Sequence, residues 1–137
     1  MAPVQPSASV ATTGLGIRYI GDYCYAYSGV IDLVGASTET QLEFTTGSGL
    51  ISGEYTFGAD ANDIDSETYL GFLIYLNNIL MYQRSLRAAS SGNWNIFGPL
   101  PLIIPPFTTV KVESETTDSS GTTHTYGTFT GRVYGAE

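Results

Sequence analysis

From Ile17 to Tyr134 the apolar residues fall on alternate positions in short runs, and turn formers separate the runs. Val110 and Val112 alternate with Lys111 and Glu113, Tyr55 and Phe57 with Glu54 and Thr56, and Leu42 and Phe44 with Gln41 and Glu43. A period of two suits a pleated strand, whose successive side chains point to opposite faces. On this reading Gln41 and Glu43 share the water-facing side. Gly21-Asp22, Gly47-Ser48-Gly49 and Asp118-Ser119-Ser120-Gly121 supply bends and turns between runs. In Tyr69 to Arg87, the residues Leu70, Leu73, Leu76, Leu80 and Leu86 would also suit a helix. Asn77-Asn78 decides for a hairpin, because Asn tolerates the left-handed backbone of a tight turn. The flanking Tyr69, Phe72, Ile74, Tyr75, Ile79 and Tyr82 favour strands. Pro99 and Pro101 cannot donate to a ladder, so their segment is an edge strand or a crossing between sheets. About eight strands result. The fold class expected is all-β: an antiparallel two-sheet sandwich of jelly-roll type.

The 137 residues suit one domain that buries a core without disulfides or metals. Residues 1–16, rich in Pro, Ser, Thr and Gly, read as a flexible N-terminal arm, either a frayed terminus or a tether that orders against a neighbouring copy. Residues 17–137 read as the sandwich. The net charge is −8 with five basic residues, and no basic stripe of the kind nucleic acid requires is present. The acidic balance also disfavours anionic membranes, and no apolar run is long enough to span a bilayer. Met1 is followed by Ala2-Pro3-Val4-Gln5-Pro6, which is no export signal, so synthesis in the cytoplasm is expected.

The groups that catalysis needs are sparse. The one histidine, His124, sits in a Thr-rich strand start, and the one cysteine, Cys24, reads as a small buried apolar residue with no basic partner nearby. No phosphate loop, zinc spacing or Gly-x-Ser-x-Gly elbow occurs, and a same-face acid pair such as Glu113 and Glu115 is what any solvated strand carries. The chain is expected not to be an enzyme and to need no cofactor. The stretch from Asp60 to Glu67 is the metal candidate: Asp60, Asn62, Asp63, Asp65 and Glu67 offer oxygen ligands of the kind calcium takes. It departs from the EF-hand pattern, and a solvated loop between strands is the favoured reading of it. Trp94, placed in a loop beside Asn93 and Asn95, is the sugar-contact candidate. Ten tyrosines could form a carbohydrate platform or simply pack core and subunit contacts.

Two stretches, Gly71-Phe72-Leu73-Ile74-Tyr75-Leu76-Asn77-Asn78-Ile79 and Pro99-Leu100-Pro101-Leu102-Ile103-Ile104-Pro105-Pro106-Phe107-Thr108-Thr109-Val110-Lys111-Val112, resemble small jelly-roll proteins of virus and tailed-phage particles. The resemblance is one of pattern and carries over no catalytic residue. It implies a structural virion component, a capsid decoration, cement or minor capsid protein. The partners implied are capsid or other virion proteins, with homo-oligomers, often trimers. The alternative is a carbohydrate-binding or receptor-binding β-sandwich module.

Overall fold

A computed structural model describes residues 16–60, 69–87, 94–117 and 122–135. The described residues form ten strands: β1 (Arg18–Ile20), β2 (Tyr23–Tyr27), β3 (Ile31–Val34), β4 (Ser37–Thr45), β5 (Leu50–Asp60), β6 (Tyr69–Leu76), β7 (Ile79–Arg87), β8 (Trp94–Ile104), β9 (Thr109–Thr116) and β10 (Thr122–Tyr134). The extra strands come from Ile17 to Leu33, which Gly21 and Gly29 break into three pieces, both with positive φ. Residues 1–15 of the expected arm and 118–121 of the expected loop lie outside the described residues. Ile17 is fully buried in the core.

One sheet runs β1-β2-β10-β5-β8, with β3 also paired to β10; the other runs β4-β9-β6-β7. Leaving out the short β1 and β3, eight strands remain. The first pairs with the last, β2 with β10, and β4 pairs with β9, β5 with β8 and β6 with β7. The chain is thus one long antiparallel hairpin, rolled so that alternate pairs fall in opposite sheets, which is jelly-roll topology. The innermost pair closes at Asn77-Asn78, both left-handed, with φ of 52° and 67°. β8 lies at a sheet edge, where its prolines cost no ladder bonds, and the ladder with β5 shifts register at Gly98-Pro99.

Phe72 on β6 joins the two sheets. Its ring lies 5.0 Å from that of Tyr55 and 5.1 Å from that of Phe57, both on β5, and 5.5 Å from that of Phe97 on β8. Beside this aromatic centre sits a polar one. Tyr55 donates its hydroxyl to Gln41 Oε1 at 2.5 Å, and Gln41 Nε2 donates to Thr125 Oγ1 at 3.4 Å. Thr125 Oγ1 lies 3.2 Å from Ser114 Oγ. Gln41 is fully buried, against the alternation that placed it outside with Glu43. The cause is a bulge: between Thr40 and Leu42 the β4–β9 register shifts by one, so Gln41 and Leu42 both turn inward. Gly127 makes room for the amide, since a Cβ there would lie 2.4 Å from Gln41 Oε1.

Candidate functional site

The residues singled out by chemistry end up on strands. Asp60 is the last residue of β5 and Trp94 the first of β8, on strands instead of the expected loops. The β5–β8 ladder runs further than the apolar alternation does and pairs the two residues, while Asp60 also pairs with His124 and His124 with Asp32. Backbone pairing therefore sets Asp32, His124, Asp60 and Trp94 in one row across the sheet. His124 Nδ1 lies 2.5 Å from Asp32 Oδ1, with both side chains about half exposed. Asn62, Asp63, Asp65 and Glu67 lie outside the described residues. Among the described residues no three His, Cys, Asp or Glu side chains group as metal ligands. Cys24 is buried, and loss of solvation pushes its thiol up to about 11 despite a backbone hydrogen bond at Gly131 that opposes the shift. A thiol held protonated in this way is a poor nucleophile at neutral pH.

The outer face of the six-stranded sheet has a different character. Register sets its side chains in rows. One row reads Ile20, Tyr23, Arg132, Ser52 and Ile103; the next reads Arg18, Tyr25, Thr130, Glu54 and Pro101. Beyond them come Tyr27, Thr128 and Thr56, then Tyr126 over Gly58. A Cβ on Gly58 would lie 2.3 Å from the Tyr126 ring, so the glycine lets the ring lie flat on the sheet. With Tyr134 at the end of β10, half of the ten tyrosines line this one face. The Arg132 guanidinium carbon lies 5.6 Å from the Tyr23 ring centre and 5.4 Å from that of Tyr134, and Asp22 Oδ2 is 3.8 Å from its Nη2. Tyr23, Ser52, Glu54, Thr130 and Arg132 border a shallow depression of about 270 Å³.

A second surface is the mouth of the sandwich, where edge strands β7 and β8 of the opposing sheets face each other. At one end Arg84 closes it, its guanidinium carbon 4.8 Å from the Phe97 ring centre. At the other end a groove of about 230 Å³ stays open, lined by Leu76, Met81, Tyr82, Leu100, Leu102 and Ile103 among others. Met81 and Ile103 are more than half exposed. Met81 is the extra residue of a bulge, since Ile74 pairs with Tyr82 but Tyr75 with Leu80. Sequence reasoning missed both surfaces. Strand pairing assembles the first and sheet packing the second, and neither has a local motif.

No family model and no curated protein matches the chain. Solved structures do. The structure of the infectious bursal disease virus Gx strain matches with a TM-score of 0.57 and 15% identity over 98% of this chain and 38% of that one. The VP2 subviral particle of the same virus matches at 0.55 and 17%, over 83% of this chain and 32% of the other. The T=1 particles derived from that virus match at 0.54 and 16%, over 98% and 37%. The chain spans about a third of the length of the virus chains it matches. The likeness is one of fold, and it agrees with the jelly-roll resemblance carried by the sequence.

Proposed function

We propose that this chain is a structural, non-enzymatic component of a virus particle, a capsid decoration, cement or minor capsid protein that binds the particle surface or neighbouring copies. The observation that carries this reading is the apolar groove between β7 and β8, with Met81 and Ile103 at its rim. Exposed apolar side chains gathered at one groove mark an interaction surface. The rolled topology shared with particle-forming chains of infectious bursal disease virus supports the same reading. A homo-oligomer, with three copies as the first expectation, would cover the groove, while residues 1–16 would tether each copy to its neighbour. Synthesis in the host cytoplasm and residence in the virion follow from the proposal.

Two measurements test it. Mass spectrometry across density-gradient fractions of cells producing the chain should find it in the particle band; a chain confined to the soluble top of the gradient overturns the proposal. Replacing Met81 and Ile103 together by Asp should remove the chain from the particle band and reduce the molar mass in light scattering to that of one copy. An unchanged distribution and mass would remove the groove from the argument.

A further inference from the structure

We propose that the tyrosine-lined outer face of the six-stranded sheet is a binding site for neutral oligosaccharides, centred on Tyr23, Arg132 and Tyr134. The inference stands apart from the virion reading and places the sugar site away from Trp94. Three features of the face carry it.

The first is the aromatic surface. Tyr23, Tyr27 and Tyr134 are each about half exposed or more, and Tyr25 and Tyr27 stand with ring centres 5.1 Å apart. The electron-rich face of a tyrosine ring attracts positively polarised C–H groups, which the flat side of a sugar ring presents. Tyrosine also keeps a polar tip for hydrogen bonds at the margin of such a contact.

The second is the set of polar groups between the rings. Ser52 and Thr130 place hydroxyls around the depression, and Arg132 and Glu54 flank it with a forked donor and a forked acceptor. Vicinal sugar hydroxyls both donate and accept, so paired donors and paired acceptors on a small area suit them. The two tyrosine rings beside the guanidinium limit its freedom, which lowers the cost of ordering it on binding.

The third is the charge, which selects the occupant. Arg132 faces Asp22, while Arg18 and Glu54 stand in one row, so the charges around the depression come as two opposed pairs, with Asp32 and His124 further along the sheet. The chain as a whole carries −8, which disfavours an acidic glycan. The apolar area is interrupted by Thr128, Thr130, Ser52 and Arg132, unlike the continuous apolar core of a permanent subunit interface. A neutral ligand with hydroxyls and flat C–H faces meets no such obstacle.

The test uses the full-length chain on an array of immobilised neutral oligosaccharides of glucose, galactose, mannose and N-acetylglucosamine, with sialylated oligosaccharides on the same slide. Binding to one neutral class is expected, followed by calorimetric titration with that oligosaccharide. Tyr23→Ala and Arg132→Gln should each weaken it by about tenfold or more. Lys111→Ala, on the opposite sheet, should leave it unchanged. Both lining residues are exposed, so the melting temperature and circular dichroism of both variants should match the parent. A blank array overturns the proposal, as does a preference for the sialylated members. Undiminished affinity in both Tyr23→Ala and Arg132→Gln also overturns it. So does a drop in molar mass of either variant in light scattering, which would assign the face to subunit contact.

Discussion

The two outer faces of the sandwich occupy equivalent places in the fold and are furnished in opposite ways. On the four-stranded sheet, register places Thr40, Glu113, Leu73 and Gln83 in one row and Glu43, Lys111 and Tyr75 in another. Lys111 Nζ lies 3.3 Å from Glu113 Oε2, and Tyr75 is hydrogen-bonded to the same glutamate. That is an ordinary solvated strand surface, carboxylates around the Lys111 cation. On the six-stranded sheet the equivalent positions hold tyrosines, hydroxyls and two arginines. Either furnishing satisfies the alternation that folding requires, because both leave the inward positions apolar. The gathering of tyrosines around arginine on one face is therefore not set by the alternation alone.

This contrast requires the two faces to share a single interior and to be equal in folding. The largest effect should come from that interior. Phe72→Ala removes the ring that joins the sheets and should cost about 3–5 kcal/mol in chemical denaturation, lowering both faces together. If only one sheet loses its structure, by hydrogen exchange, then the sandwich does not unfold as one body and the comparison of its faces fails.

Next comes the polar centre. Gln41→Leu strips the Tyr55 hydroxyl of its acceptor and should cost about 1–3 kcal/mol. The partner variant Tyr55→Phe removes the donor instead. The double variant should be less destabilised than the two single costs added together, because the pair is broken only once. Simple additivity would show that the buried amide and hydroxyl do not act as a unit.

Alkaline pH sharpens the picture further. Burial pushes Tyr19 up to about 12 and Cys24 to about 11, and raises Tyr55 well above its ordinary value. The unfolded chain therefore releases these protons at lower pH than the folded one, and in that interval the folded state holds more of them. Their contribution is complete below pH of about 9 and declines as pH rises toward 12. Melting curves from pH 8 upward should show this decline, and Tyr55→Phe should make it shallower. A decline of equal steepness in that variant would remove Tyr55 from the cause.

The smallest effect is the decisive one for the faces. Tyr23→Ala on one sheet and Lys111→Ala on the other should each change stability by no more than about 0.5 kcal/mol. A large loss in Tyr23→Ala alone would make the tyrosine face part of what holds the fold together, and its composition would then need no ligand to explain it.

The strand order could be anticipated in outline because its signals are local. Asn77-Asn78 announces its hairpin, Val110 and Val112 their strand, and Pro99 and Pro101 the edge. Gln41 could not be placed, since a bulge shifts the facing of every residue on one side of it and leaves no mark in the alternation. The candidate site was less legible still. Trp94 stands out by residue type alone, and its backbone belongs to a strand instead of the expected loop. Tyr23 and Arg132 stand at opposite ends of the sequence, and only the pairing of β2 with β10 makes them neighbours. No reading of single strands predicts a surface that belongs to none of them.

The rolled hairpin also governs how the chain comes together in time. Closing the β6–β7 turn confines two residues, whereas bringing Tyr27 to Thr128 confines roughly a hundred, an entropic difference of about 3.5 kcal/mol. Folding should thus propagate outward from Asn77-Asn78 and finish with the outermost pair, over milliseconds to seconds as for other folds built on distant pairings. The tyrosine–arginine row spans that outermost pair, so it is among the last features of the molecule to exist. Nascent and half-folded chains would be blind to whatever the finished face recognises.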